Sequence, residues 1–183
     1  MAKVIIIGDG PAGLSAALYL AKAKYTTVVY GQDKTPMHYA MVHNYLGIRE
    51  ISGPDFQKNA RTQVIDMGAE IVDEQVTKIA IADDGFTIKT AVGKIDEAKY
   101  VIIAAGRNPE LVTGVGLSLN DQKTVEADRN GRTMVPNLYV TGWSTRPDKI
   151  QAIISAGDGA AAALDILSKE AGKDIHDFDN LEK

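Results

Sequence analysis

Val4-Ile5-Ile6-Ile7-Gly8-Asp9-Gly10-Pro11-Ala12-Gly13 is the stretch that decides the fold. Its first four residues are β-branched and uninterrupted, which is how a strand buried on both faces of a parallel sheet reads. Three glycines follow at Gly-x-Gly-x-x-Gly spacing, and an Ala- and Leu-rich helical stretch runs from residue 11 to about residue 24. Pro11 suits the first helical turn, where its missing N–H costs nothing. A second strand is expected over Thr26–Tyr30, completing a β-α-β unit. In that context each glycine has a task. Gly8 permits the tight turn, Gly10 lets backbone approach a pyrophosphate, and Gly13 lets the helix lie close on the strand. The helix N-terminus then offers free N–H groups and partial positive charge to the phosphates. A glycine-rich turn without a ligand is the plain alternative; the flanking strand and helix favour a dinucleotide. The acid that usually grips the adenosine ribose belongs about 20 residues further on. Tyr30 and Gly31 stand there instead, and Asp33 is the nearest carboxylate. The missing acid weakens the case for NAD without deciding for FAD.

The rest of the chain is read outward from this unit. Residues 31–50 lack periodicity and read as a long loop, which in a compact domain is usually functional or disordered. Ser52 is placed to cap a helix starting at Gly53-Pro54-Asp55, with Asp55 at the capping-box position. Phe56, Ala60, Val64 and Met67 lie near one face of that helix, and Gly68 ends it. Residues 69–72 read as a short strand. Residues 75–82, 86–91 and 100–105 read as three more, with turns at Asp84-Gly85 and Val92-Gly93, and the short connections predict an antiparallel meander. The run Tyr100-Val101-Ile102-Ile103-Ala104-Ala105 is again of the buried type. Residues 107–134 read as irregular and polar. A final strand is expected over 138–141, then a loop at 143–148 and an Ala-rich helix over about 150–169. Residues 1–172 form one expected domain, and 173–183 a polar tail that frays.

Composition excludes several functions. The chain has 183 residues, a formal charge of −4, 45% hydrophobic residues and no cysteine. One domain of this size builds a core without staples. Zero cysteines exclude disulfides, thiolate nucleophiles and Cys-ligated metals. The mild negative charge argues against a nucleic-acid partner. No apolar run approaches the roughly 20 residues of a membrane span, and the N-terminal run is too short for a signal peptide. The expectation is a soluble, cytoplasmic protein. Asp, Glu and His are scattered without metal spacing.

Several segments then match one family together and in order. They are residues 8–17, Asn44-Tyr45-Leu46-Gly47, Ile51-Ser52-Gly53-Pro54-Asp55-Phe56, residues 100–106, Val135-Pro136-Asn137-Leu138-Tyr139-Val140-Thr141-Gly142, and residues 151–162. With these the chain resembles the FAD-binding domain of the low-molecular-weight thioredoxin reductases, class II pyridine nucleotide-disulfide oxidoreductases. The resemblance implies an α/β fold of the FAD/NAD(P)-binding, Rossmann-like, three-layer type, with a parallel sheet, helices and an antiparallel β-meander. It implies FAD as cofactor. Gly8, Gly10, Pro11, Ala12 and Gly13 would hold the pyrophosphate; Tyr30, Gly31 and Asp33 stand near the adenosine by the loop spacing alone. Asn44 would lie near the flavin ring. Ala105 and Gly106 would pass the adenine half or the diphosphate, and Gly142 the ribityl chain. Gln151 and Ala152 would place backbone N–H groups by flavin N1 and O2. A helix N-terminus aimed there suits a reduced flavin, which is often anionic at N1.

The departures from the family pattern matter as much. The family inserts a whole NAD(P)H-binding domain between the strand ending near Gly106 and the last strand; residues 106–135 are too few for one. No second Gly-x-Gly-x-x-Gly occurs, since Gly114-Val115-Gly116 lacks the third glycine. The redox Cys-x-x-Cys belongs to that insert, so the family's dithiol reaction is excluded for these residues. The family's Gly-Asp appears as Gly142-Trp143, and its Gly-Gly-Gln run is replaced around Thr35-Pro36-Met37-His38. Trp143 either stacks on the cofactor or packs as an ordinary strand-end aromatic. His38, His43 and His176 read as solvated, with no visible carboxylate partner, and Lys149 as surface charge. The expected function is that of a single-domain FAD oxidoreductase drawing electrons from an external donor, for an external acceptor. A non-catalytic FAD-binding module or a subunit of a larger redox complex is the alternative, and a plain NAD-binding Rossmann protein a third reading. Surface left by the missing domain suggests a homodimer or a partner interface.

Overall fold

A computed structural model describes residues 2–180. The parallel sheet is built as the first stretch predicts. Strand β1 (Lys3–Ile7) leads through the glycine turn into α1 (Pro11–Lys22) and back into β2 (Thr26–Tyr30). The long loop that follows contains a 3-10 turn at Pro36–Tyr39 and a small antiparallel pair, β3 (Met41–Val42) with β4 (Ile51–Ser52). Helix α2 (Gly53–Asp66) begins as expected, with the Ser52 Oγ accepting from the Asp55 N–H at 3.1 Å. Strand β5 (Glu70–Val72) comes next, then β6 (Val76–Ala82), β7 (Gly85–Thr90) and β8 (Ile95–Ala98), and β9 (Tyr100–Ile103). After β9 come α3 (Pro109–Gly114), β10 (Leu138–Val140) and α4 (Ala152–Ala171).

The five parallel strands run in the order β10-β9-β1-β2-β5, with β1 in the middle. Residues of β1 alternate between two cores. Ile5 and Ile7 face the meander β6-β7-β8 through Ile79, Phe86 and Ile88. Val4 and Ile6 face α1 and α4 through Leu14, Leu20 and Ile166. This is the three-layer α/β arrangement of a Rossmann-like dinucleotide fold.

Two expectations fail. The third strand of the meander is β8, whose polar sequence Ile95-Asp96-Glu97-Ala98 hid it; β9 instead joins the main sheet beside β1, Val4 opposite Tyr100. A strand with both faces covered is apolar throughout, whereas a meander edge alternates, and β9 is of the first kind. Residues 107–134 are not wholly irregular. They hold α3, and Leu111, Val112, Val115, Leu117 and Val125 complete the core beneath the meander.

Helix α4 crosses α1 closely. A Cβ on Gly159 would lie 1.9 Å from the Ala12 carbonyl oxygen, so only glycine admits this approach. Gly172 ends α4 in the left-handed conformation. Beyond it, Ile175 packs on the helix-side core and Lys22 meets Asp177 at 2.8 Å, while residues 181–183 of the expected tail lie outside the described residues.

Asp165, buried on α4, binds Arg132, Tyr139 Oη (2.7 Å) and Asn130 Nδ2 (3.1 Å), tying the stretch before β10 to the helix. Burial alone would push its carboxyl up, but the Arg132 guanidinium and the Tyr139 hydroxyl hold it below the ordinary carboxylate value. Stability from a lowered carboxyl is complete above the unfolded value and is lost as pH falls through the folded one. Asp165→Asn is therefore expected to cost about 1–3 kcal/mol at neutral pH, and to flatten the loss of stability of the parent protein below about pH 4. Denaturant unfolding of both proteins across that range checks this.

Candidate functional site

The carboxyl ends of β1, β2 and β9, with the loops that follow, line a cleft of about 740 Å³. Such a crevice beyond the strand ends is where open α/β sheets bind ligands. Two helices point their N-termini at it. The N-cap of α1 is Gly10 and that of α4 is Gln151, and both line the cleft. Neither helix has a side-chain cap, and neither carries an acidic residue in its first turn. Both ends thus retain unpaired N–H groups and undiminished positive dipole charge, the conditions for an anionic ligand.

The glycine turn is shaped by its neighbours. Gly8 has φ +107° and a Cβ there would lie 2.3 Å from the Ala104 oxygen. Its N–H donates to the Tyr30 carbonyl at 2.8 Å, pinning the turn to the end of β2. Gly8, Gly10, Pro11 and Ala12 line the cleft. Gly13 does not; it lies against the strand, where a Cβ would meet the Gly8 oxygen at 1.9 Å. Gly142 also stands behind the wall, against the Ala12 methyl.

The remaining expected site residues divide in the same way. Tyr30 and Gly31 line the cleft, but the Tyr30 hydroxyl is turned into the core, donating to Asp96 Oδ2 at 3.0 Å. Burial and that carboxylate push the Tyr30 hydroxyl well above the ordinary phenol value. Asp33 is not among the residues lining the cleft. Its carboxylate lies against His38 Nε2 at 3.0 Å, in a left-handed residue (φ +54°) whose N–H donates to Asp9. The histidines correct an expectation, because His38 has Asp33 and His43 has Glu50, at 3.4 Å, as carboxylate partners. Asn44, Ala105, Gly106, Trp143, Gln151 and Ala152 all reach the cleft. Asn44 Nδ2 donates to Gln151 Oε1 at 2.8 Å, joining the long loop to the start of α4. Trp143 carries the Arg107 guanidinium over its ring at 5.4 Å, and its buried indole N–H has no partner.

Reading by residue type missed the polar base of the loop. Asp9 is 5% exposed, and its carboxylate binds Arg61 and the Asp33 N–H (3.0 Å). Arg61 also reaches Asp73 at 2.6 Å, and fully buried Gln57 donates to the Asp9 carbonyl. The signal was present in α2. Gln57, Arg61 and Val64 share a face, whereas Met67, expected on the inner stripe, is 38% exposed. Gly31 must be glycine because a Cβ would meet the Asp9 carboxyl carbon at 2.2 Å.

With this geometry in view, the comparisons with known proteins fall into place. The model of the pyridine nucleotide-disulphide oxidoreductase family matches residues 2–56 and 47–158, and the chain belongs to that family. Within it, the chain is 37% identical over 173 residues to a bifunctional thioredoxin reductase/thioredoxin of Mycobacterium leprae, covering 92% of this chain and 36% of that one. It is 29% identical over 174 residues to a thioredoxin reductase of Spironucleus barkhanus, covering 93% of this chain and 54% of the relative. The chain thus spans between about a third and a half of these relatives. Among solved structures, the fold matches a Lactococcus lactis thioredoxin reductase with TM-score 0.86 at 17% identity, over 94% of this chain and 100% of that one. It also matches the atypical thioredoxin reductase TRi of Desulfovibrio vulgaris Hildenborough with TM-score 0.85 at 19% identity, over 93% and 99%. Among the described residues no helix is long and apolar enough to cross a membrane, and no cluster of His, Asp or Glu is able to hold a metal ion.

Arg61→Met would leave the buried Asp9 charge with a single donor. It is expected to cost about 3 kcal/mol, and Asp9→Asn combined with Arg61→Met less than the sum of the two. A double-mutant cycle in urea measures the coupling; additive losses would show that the two side chains act separately.

Proposed function

We propose that this cleft binds FAD, and that the chain is the flavin-carrying unit of an oxidoreductase whose electron donor and acceptor lie outside these 183 residues. The convergence of two uncapped helix N-termini on one cleft carries this reading. A ligand with a diphosphate at one end of its span, and a ring that gains negative charge on reduction at the other, fits both. Family membership supports the same cofactor class. FAD, when bound, supplies two-electron chemistry; the protein supplies binding, orientation and electrostatics.

The residues present fit such a group. Backbone of Gly8, Gly10, Pro11 and Ala12 would hold the diphosphate, as Cβ-free Gly8 and the open first turn of α1 allow. Ala105 and Gly106 would border it. Gln151 and Ala152 would present N–H groups to the flavin N1 side, steadied by the Asn44 bond to Gln151. Trp143 lines the same cleft, where the resembling family has an aspartate, and its buried indole N–H has no partner within the protein. No cysteine is available among these residues, so electrons leave to a separate acceptor rather than to a disulfide of this chain.

Purified protein is expected to be yellow, and to release about one FAD per chain on denaturation. A chain that carries only NAD, or that binds no FAD when it is added, would sink the reading. Trp143→Phe keeps a ring but removes the N–H, and is expected to weaken FAD about tenfold by equilibrium titration. Anaerobic mixing of the loaded protein with NADH, NADPH and reduced protein donors, followed by bleaching of the flavin band, identifies the donor. Bleaching by none of them, and turnover of no donor–acceptor pair, would make the chain a binding module rather than an enzyme.

A further inference from the structure

The end of β2 lacks an acid, and the nearest sequence candidate, Asp33, lies outside the cleft and is paired with His38. The neighbouring strand supplies one instead. Strand β5 runs parallel to β2 with Val72 opposite Tyr30, and the Gly31 N–H donates to the Val72 carbonyl at 3.1 Å. The chain then turns, the Glu74 N–H reaching the same carbonyl at 2.8 Å. This sets Glu74 beside the end of β2, in the cleft wall with Tyr30 and Gly31. One of its carboxylate oxygens, Oε2, is buried and has no hydrogen-bond partner. Nearby donors are committed elsewhere: the Tyr30 hydroxyl to Asp96, Arg61 to Asp9 and Asp73. Lys34 lines the same cleft, yet no ion pair joins it to Glu74 among the described residues. A buried acceptor without a donor is costly, and Glu74, whose side chain belongs to the cleft wall, relieves that cost by turning its carboxylate toward a donor brought by a ligand.

We propose that Glu74 is the ribose-binding acid of this site, accepting from the 2′-hydroxyl of an adenosine nucleotide whose diphosphate rests on the Gly8–Ala12 turn. The inference rests on the dinucleotide reading above and deepens it. A carboxylate is an acceptor only, so it suits a ribose diol and repels a 2′-phosphate. The site is therefore selective for adenosine with a free 2′-hydroxyl, and the acid has moved from the end of β2 to the strand beside it.

The test uses the full chain freed of cofactor, with ADP-ribose, its 2′-deoxyadenosine analogue, its 2′-phosphorylated form and its inosine analogue as probes in calorimetric titration. Parent protein is expected to bind ADP-ribose about tenfold or more tightly than either the 2′-deoxy or the 2′-phosphorylated form. Glu74→Gln is expected to remove most of the discrimination against the phosphate, and Glu74→Ala to abolish the dependence on the 2′-hydroxyl. The comparison of probes on unmodified protein needs no variant, and melting curves of the variants without ligand show whether they fold. Equal affinity of the parent protein for the 2′-hydroxyl and 2′-deoxy probes would overturn the proposal. So would a Glu74-dependent loss confined to the inosine probe, which would place the carboxylate on the base edge. If the parent protein binds FAD normally while Glu74→Gln changes nothing, the assignment of Glu74 fails and the cofactor reading stands. If it binds neither FAD nor ADP-ribose, both fail.

Discussion

The approach of α4 to the first turn of α1 is the constraint on which the site depends. Gly159 lies on the Ala12 carbonyl, so the two helices touch backbone to backbone at the place where α1 leaves the glycine turn. A side chain at either contact would drive α4 outward, and with it the Gln151 end. Because both helices rest on the same face of the sheet through Leu14, Leu20 and Ile166, neither can tilt to compensate without breaking that core. Two positive helix ends on one cleft are thus a consequence of packing. Like-signed dipole ends are not neutralised by each other or by side chains, since neither first turn holds an acid. An anionic group placed in the cleft would be favoured by both.

Beneath the turn the electrostatics run the other way. Asp9 brings a buried carboxylate under a loop whose upper surface presents N–H groups. Left alone it would oppose an anion above it. Arg61 holds that carboxylate from below and passes on to Asp73, so the negative charge is answered inside the protein. Gln57 takes the Asp9 carbonyl as well, fixing the direction of the peptide that leads into Gly10. The turn is held from its underside by this polar network, and such networks specify one arrangement more sharply than apolar contacts do.

What could be read from the sequence follows from how local each signal is. The β1-turn-α1-β2 unit is legible because strand pattern, glycine spacing and helix start lie within one short stretch and agree. The Ser52 cap and the Ala-rich last helix are legible for the same reason. Strand β8 is not, because Ile95-Asp96-Glu97-Ala98 has one side chain, Asp96, serving Lys3 and Tyr30 across the layer rather than an apolar alternation. The core role of residues 111–125 escapes notice because its apolar positions are separated by Gly114, Gly116 and polar turns. In the site, backbone-binding positions show themselves through glycine, whereas Asp9, Arg61 and Glu74 show themselves only through what the fold places beside them. Asp33 illustrates the limit: it stands at nearly the right chain distance, but a left-handed residue turns its side chain toward His38.

The loop that leaves β9 and the loop that leaves β10 meet beside the cleft. The first leaves the sheet at Ala104, and the second leaves it after Val140 and leads to α4. Ser144 Oγ donates to the Gly106 carbonyl, and Arg107 Nη2 donates to the Pro147 carbonyl at 2.9 Å while covering the Trp143 ring. The carboxyl ends of two parallel neighbouring strands are therefore tied at one point beside the cleft. Between β9 and β10 the chain crosses from one end of the parallel sheet to the other. Here the intervening residues fold back under the meander as α3 and its flanks. The cleft wall at Gly106 and Trp143 is consequently set by the bonds between the loop that leaves β9 and the loop that leaves β10.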